Sequence, residues 1–208
     1  FARENTIVYG AADVPTISII SDDGYKTWFD NASPILAARN LRAGIAVIPD
    51  RVGYNSTFMT WDEMRAWVAA GHYCHTHGCR DGLDNLSSYP SVADAVADAV
   101  WSRAQIRAQG CAVDGAENVY MFPQGIYYML NDVTRRDLTD GLLAEGFTIG
   151  RSGRAPQTFH SKHMNDTASR MILPIMGYGW SSTDEANNVA AVRARIASCG
   201  SYGYSGTI

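Results

Sequence analysis

The sequence is poor in charge, in cysteine and in long apolar runs, and each shortage excludes a class of protein. Only 18% of the 208 residues are charged, the net charge is −4, and lysine and arginine form no run, so a dedicated nucleic-acid surface is not expected. No apolar stretch approaches the ~20 residues that cross a bilayer, so no membrane span is expected. The four cysteines have neither zinc-motif nor disulfide-scaffold spacing, which leaves the redox compartment open: Cys74, Cys79, Cys111 and Cys199.

The residues at each end of the chain lead to a separate expectation. The N-terminus has no signal-peptide pattern. Because the chain opens at Phe1 rather than at methionine, we expect a piece processed or excised from a longer protein. Residues 204–208 have the composition of a strand that is cut off as it begins.

What is present is the composition of a globular domain. Hydrophobic residues make up 46% of the chain, and 208 residues suffice for a sizeable core, so we expect a single domain over residues 1–208. Short β-type runs alternate with helical stretches, which is typical of an α/β fold with a parallel sheet. The predicted strands cover 14–20, 43–49, 118–122 and 146–150. The predicted helices cover 31–40, 61–71, 91–109, 133–145 and 183–199, and 151–166 is predicted to be a polar loop.

A capping box marks the start of one of these helices. The Thr60 hydroxyl and the Glu63 carboxylate are spaced to satisfy each other's free backbone N–H groups. We expect Trp61, Met64 and Val68 on one face of this helix.

Two adjacent carboxylates follow the first predicted strand. The apolar run up to Ile20 breaks at Ser21, and Asp22, Asp23 and Gly24 come next. Neighbouring ionised carboxylates repel each other, so keeping both charged is costly unless a cation or hydrogen bonds intervene. Asp-Gly is also a strong turn dipeptide, and an ordinary turn is the alternative.

Three of the five histidines lie within residues 72–77. His75 and His77 are two apart and would point to the same side of a strand. His77 and Asp81 are four apart, so a strand followed by a helical turn could bring both onto one ion. Imidazole and carboxylate are favoured nitrogen and oxygen ligands of zinc, and the alternative is that these are ordinary surface or core residues.

In this order the motifs resemble those of the polysaccharide deacetylases of carbohydrate esterase family 4, the NodB-homology domain. The family's first motif, Thr-Phe-Asp-Asp-Gly, is matched by residues 20–24 across Asp-Asp-Gly. Its second motif, His-Ser/Thr-x-x-His, follows a helix that ends in Ala-Gly-His-Glu, and residues 69–72, Ala-Ala-Gly-His, stand in the same place here. The resemblance covers nearly the whole chain. Residues 131–132 and 146–147 are also similar to the helix and the strand that come after the third motif in the family.

The second motif can be aligned in two registers. Counting from Gly71 places His77 at the first histidine and Asp81 at the second, where the aspartate departs from the family pattern. The other register takes His75 as the first histidine and puts Cys79 in the last place, but it needs a two-residue deletion. We therefore prefer His77 and Asp81.

The third motif, Arg-x-Pro-x-Gly in many members, keeps only Pro123 and Gly125. Members that act on poly-N-acetylglucosamine also tend to lack this arginine. Without it, Asp22 needs another partner.

The resemblance implies a distorted (β/α) barrel of about seven strands with its site at their carboxyl ends. It implies a divalent metal, with zinc first, held by Asp23, His77 and Asp81. Asp22 would then be the general base. The remaining implied site residues are the backbone N–H of Gln124 as oxyanion donor, and Pro123, Gly125, Tyr127 and Trp180 at the substrate. The two aromatic residues, with Tyr128, could instead be core residues.

The implied reaction is hydrolytic removal of an acetyl group from a polysaccharide, as an N-acetyl amide or an O-acetyl ester. Its partner would be an acetylated polysaccharide or oligosaccharide, and the family implies an extracellular or cell-surface location. The family's general acid is a histidine after the last strand. Here it would lie beyond Ile208, unless His160 or His163 serves instead.

Two other functions stay open. The aspartate at position 81, the absent arginine and the absent terminal histidine favour a non-catalytic carbohydrate-binding module on a degenerate deacetylase scaffold. A metal-dependent amidase or esterase with another substrate is the second.

Overall fold

The computed structural model describes residues 17–78, 80, 86–125, 135–152, 173–174, 190, 193 and 206–207. The strands are β1 (Ile17–Ser18), β2 (Ile20–Ser21), β3 (Gly44–Val47), β4 (Tyr73–Thr76), β5 (Val119–Met121), β6 (Ile149–Ser152), β7 (Leu173–Pro174) and β8 (Gly206–Thr207). The α-helices are α1 (Ser33–Ala37), α2 (Trp61–Ala69), α3 (Val92–Ala108) and α4 (Arg135–Ala144).

The main sheet is parallel and follows the order of the chain, β2-β3-β4-β5-β6-β7. β1 pairs with β8, also in parallel, whereas β2, which follows β1 directly in the chain, pairs with β3. The predicted α/β class is confirmed, and the curled sheet with its helices is a distorted (β/α) barrel. The predicted count of seven strands is not confirmed, because the described residues form eight short strands in two sheets.

Alternate side chains of the strands pack on opposite faces of the sheet. On the face toward α2, Ile45, Val47 and Cys74 lie in one buried cluster with Met64 and Trp67. Further along the sheet, a second cluster joins Tyr120 and Phe122 to α3 and α4: Ala95, Ala99, Leu138, Leu142 and Phe147 are its other main members. On the opposite face, Ala46, Val119 and Met121 form a third cluster.

The start of α2 follows the predicted capping box. The Thr60 hydroxyl accepts a hydrogen bond from the Glu63 N–H at 3.3 Å, and the Glu63 carboxylate accepts one from the Thr60 N–H at 2.8 Å. Trp61, Met64 and Val68 lie on one face as predicted, because Met64 is fully buried and the half-buried Trp61 and Val68 pack against the cluster that contains it. Trp67, which was not predicted, is fully buried in the same cluster.

The strand predicted over 146–150 is also corrected. The Gly146 N–H donates to the Leu143 carbonyl and the Phe147 N–H to the Leu142 carbonyl, which is a Schellman ending of α4. Gly146 has φ +82°, the left-handed conformation that this ending requires. Because the helix ending uses residues 146–147, the strand starts at residue 149 and includes Arg151, which was predicted to lie in a loop.

Other boundaries shift by smaller amounts. The helix predicted over 31–40 is a π-helical turn, Trp28–Ala32, followed by α1. The strand predicted over 43–49 ends at Val47, and Pro49, which has no N–H to donate to a sheet, starts a 3₁₀ turn. Most of the predicted loop 151–166, with His160 and His163, and the predicted helix 183–199 except residues 190 and 193, lie outside the described residues. No helix in the described ranges has the length and apolar character to cross a membrane.

Candidate active site

Five of the predicted site residues meet at the carboxyl ends of the parallel strands. A cavity of about 430 Å³ opens there, lined by Asp22, Asp23, Ile48, Arg51, His77, Pro123 and Gln124. The two aspartates directly follow β2, His77 follows β4, and Pro123 begins the turn after β5. These residues come together because the carboxyl ends of parallel strands share one edge of the sheet.

The two adjacent aspartates face different partners. Asp23 has φ +67° and Gly24 has φ +73°, so the chain makes two successive left-handed steps directly after Asp22. A left-handed conformation costs a residue other than glycine roughly 1–2 kcal/mol. Asp22 contacts the Arg151 guanidinium, whereas Asp23 contacts His77 and Arg51.

His77 and Asp23 form the centre of the site. The Nε2 atom of His77 lies 3.6 Å from Oδ1 of Asp23, and Nη1 of Arg51 lies 3.3 Å from the same oxygen. The His77 ring is buried, and its Nδ1 atom has no hydrogen-bond partner among the described residues. An imidazole and a carboxylate therefore turn their ligating atoms toward each other at the cavity.

This donor set fits part of a metal site. A carboxylate oxygen and an imidazole nitrogen are ligands that zinc accepts, and the pair is only partly exposed. The third predicted ligand, Asp81, lies outside the described residues. Within the part of the chain that is described, no three His, Cys, Asp or Glu side chains are grouped to hold a metal.

His75 is placed differently from His77. Its Nδ1 atom lies 2.8 Å from the Ala116 carbonyl oxygen, which can only accept, so Nδ1 carries a proton. The ring leaves no room beside it, since a Cβ on Gly44 would lie 2.2 Å from its Nε2 atom. Burial lowers the pKa of His75 to about 4. His75 does not line the cavity, and it belongs to the packing of β3 against β4.

Arg151 and the cavity-lining Arg51 are site residues that the sequence did not reveal. Arg151 is the partner of Asp22. Its guanidinium is buried on β6, donates a hydrogen bond from Nη2 to Oδ1 of Asp22, and lies with Nε 2.9 Å from the Met121 sulfur. Asp22 thus has the basic partner that the third motif lacks. The only signal in the sequence was an arginine next to the end of the predicted strand 146–150. Because that strand was predicted to end at residue 150, Arg151 was assigned to the loop that follows.

The turn after β5 is also left-handed at one residue. Gln124 has φ +52° and ψ +16° between Pro123 and Gly125. The Phe122 N–H donates to the Arg151 carbonyl at 3.0 Å, which ties this turn to β6. The other predicted substrate residues, Tyr127 and Trp180, lie outside the described residues, as does Cys79 of the second register.

The fold and the site define the class of the protein, and comparison with known proteins gives its family. Residues 10–139, well over half of the chain, match the family model described as polysaccharide deacetylase. The chain therefore belongs to the polysaccharide deacetylase family. No curated protein sequence matches it significantly.

Solved structures with the same fold include several deacetylases. The Streptococcus pyogenes deacetylase PplD, in complex with acetate, has 16% identity and a TM-score of 0.60 over 76% of this chain, which spans 62% of that protein. IcaB from Ammonifex degensii has 19% identity and a TM-score of 0.59 over 84% of this chain and 71% of its own. The family 4 carbohydrate esterase of Streptomyces lividans, also with acetate, has 17% identity and a TM-score of 0.53 over 94% of this chain and 93% of its own.

Proposed function

We propose that the protein hydrolyses acetyl groups from a polysaccharide and that it requires a divalent metal, with zinc as the first candidate. The observation that carries this proposal is the pairing of His77 with Asp23 at the cavity, while the neighbouring Asp22 is held apart by Arg151. Two adjacent carboxylates in different environments can take different roles.

The metal would be held by Asp23 and His77, with Asp81 as the proposed third ligand. A divalent metal supplies a Lewis acid for the acetyl carbonyl and lowers the pKa of water. The chain's own contribution is to aim the Asp23 carboxylate and the His77 Nε2 atom at one point. The left-handed conformation of Asp23 turns its side chain away from that of Asp22.

Asp22 is the proposed general base, which takes a proton from the attacking water. Its carboxylate is 44% exposed, so water reaches it, and Arg151 holds one of its oxygens. The arginine is fixed in the sheet, which limits the orientations open to the carboxylate. A well-placed general base contributes roughly 10²–10⁴ to a rate.

The substrate side of the site is proposed from the turn 123–125. The Gln124 N–H would donate to the oxyanion that forms from the acetyl carbonyl. Tyr127 and Trp180 stay proposed contacts for sugar rings. His160 and His163 are the proposed candidates within this sequence for the residue that protonates the leaving group. We also keep an extracellular or cell-surface location as a proposal.

Acetate release tests this function directly. Chitooligosaccharides offer N-acetyl groups and acetylated xylan offers O-acetyl groups, and each is incubated with the protein before and after treatment with a chelator. We expect acetate from at least one substrate, loss of release after chelation, and recovery when zinc is added back. Glycan binding without acetate release would instead support a non-catalytic binding module. Acetyl release from small amides or esters alone would support a different substrate class.

A further inference from the structure

Gly78 and Arg80, the two described residues directly after His77, each contact another part of the protein. Gly78 has φ +69°, and a Cβ at this position would lie 2.7 Å from the Tyr120 hydroxyl oxygen, so the backbone presses against that ring. Two residues later, Arg80 reaches helix α3. Its Nε atom donates a hydrogen bond to Oδ1 of Asp98 at 2.9 Å.

The partner of Arg80 is a buried carboxylate. Asp98 is only 4% exposed, and its second oxygen, Oδ2, accepts a hydrogen bond from the Tyr89 hydroxyl. The Arg80 guanidinium also lies over the Trp101 ring, 4.3 Å from the ring centre, one turn further along α3. The arginine is therefore fixed by a charge-assisted hydrogen bond and by a cation–π contact.

We propose that Asp98 is a positioning residue for the metal site, acting through Arg80. Asp98 does not line the cavity, but Arg80 is only three residues after His77 in the chain, so its anchor limits the positions that the backbone next to His77 can take. The effect of Asp98 on metal binding rests on the proposed function, whereas its anchoring of Arg80 does not.

The burial of the Asp98 carboxylate favours a positioning role over a purely stabilising one. Burying a carboxylate is costly, and an ion pair between a buried and a half-exposed side chain recovers that cost only in part. An apolar residue at position 98 would pack in a helix without this cost. The carboxylate instead connects α3 to the loop of the second motif.

The chain offers a matched control for Asp98. Glu117 is also a buried carboxylate, and it pairs with Arg107 near the other end of α3, with Nη2 of Arg107 2.9 Å from its Oε1. The side-chain exposures of the two pairs are similar, 46% and 4% for Arg80–Asp98 and 49% and 7% for Arg107–Glu117. Glu117 precedes β5, so it lies at the end of the strand opposite to the cavity.

The first experiment needs no metal. Wild type, Asp98→Asn and Glu117→Gln are treated with trypsin under native conditions, and cleavage after Arg80 is timed by mass spectrometry. Because native-state proteolysis follows the population of the open segment, we expect Asp98→Asn to speed cleavage after Arg80 by about tenfold. Glu117→Gln should leave this rate unchanged. Equal rates at Arg80 in wild type and Asp98→Asn would overturn the inference.

The second experiment titrates zinc into the metal-free proteins by calorimetry. We expect Asp98→Asn to weaken binding by about tenfold, within the range seen when residues around metal ligands are changed. Arg80→Met should give the same loss of zinc affinity, and because it leaves the buried Asp98 carboxylate without this ion pair, a thermal melt on the same sample measures the accompanying loss of stability. The double variant should lose no more than either single variant, and Glu117→Gln should bind zinc as wild type does.

The two experiments separate the inference from the proposed function. Faster cleavage in Asp98→Asn with unchanged zinc affinity would overturn the positioning role. Faster cleavage together with a wild-type protein that binds no divalent metal would contradict the metal-dependent function, while the anchoring of the loop by Asp98 would be supported.

Discussion

Arg151 donates a hydrogen bond to Asp22 across 129 residues of the chain, from the end of β6 to the end of β2. The guanidinium is buried, whereas the carboxylate faces the cavity. The pair gives one of the two adjacent aspartates a partner that differs from those of its neighbour. Asp23, one residue later, has its oxygen near His77 and Arg51 instead.

Replacing Arg151 by methionine should reduce catalysis more than stability. Methionine keeps much of the buried volume, and Asp22 is exposed enough to be solvated without its partner. We expect kcat for acetate release to fall by about 10-fold or more, since a general base that is no longer oriented loses part of its 10²–10⁴ contribution. Steady-state kinetics and a thermal melt on the same samples measure both effects.

Arg103→Met is the control for this variant. Arg103 is another buried arginine, which stacks on Phe147 and bonds Asn118, and it does not line the cavity. Its replacement should lower the melting temperature and leave kcat near the wild-type value. Full activity in Arg151→Met would show that Asp22 does not depend on this arginine.

Replacing Asp23 by asparagine should abolish metal-dependent acetate release. Asparagine tolerates the left-handed conformation of this position, so the variant should fold as wild type does. The amide lacks the charge that a metal ligand supplies, and we expect zinc to bind at least 10-fold more weakly in calorimetry. The control is Asp30→Asn, which removes an exposed partner of Lys26 outside the cavity. Metal-dependent activity that persists in Asp23→Asn would refute the ligand role.

Much of the site was predictable because parallel strands end at one edge. The sequence indicated strands before Asp22 and Pro123, and the rule that carboxyl ends meet groups these two residues. A strand before His77 was only one possibility, and the family resemblance placed His77 with Asp23. Arg51 was not predicted, because it reaches the cavity from a 3₁₀ turn that only the position of Pro49 suggests.

Arg151 could not be predicted for a physical reason. Whether an arginine near a strand end points into a site depends on the strand register, and the register of β6 is set by its pairing with β5. Locally, Gly146 and Phe147 favour a strand as much as a helix ending. The Schellman hydrogen bonds stabilise the helix ending, and the strand therefore starts at residue 149 instead of the predicted 146.

Replacing Gly44 by alanine should destabilise the protein through His75. The new Cβ would lie 2.2 Å from the His75 Nε2 atom, and this ring cannot move freely because its Nδ1 atom is bonded to Ala116. We expect a loss of about 1–3 kcal/mol, the usual cost of overpacking, in urea unfolding. In the double variant Gly44→Ala/His75→Ala the clash is absent, so the alanine at position 44 should cost much less there than in wild type. Additive losses would contradict the predicted clash.

The stability of the protein should fall as the pH is lowered from 6.5 to 4. His75 is held neutral by burial, with a pKa of about 4 in the folded state, whereas the unfolded chain takes up this proton near its ordinary pKa of 6.5. The unfolded state therefore binds more protons in this window, and the contribution of His75 is complete above pH 6.5 and lost toward pH 4. The difference amounts to about 3 kcal/mol. Burial lowers the pKa of His72 as well, which adds a further loss of stability as the pH is lowered. Urea unfolding of the metal-free protein at a series of pH values measures the slope, and His75→Gln should make it shallower. An equal slope in wild type and His75→Gln would show that this histidine is not the group that titrates.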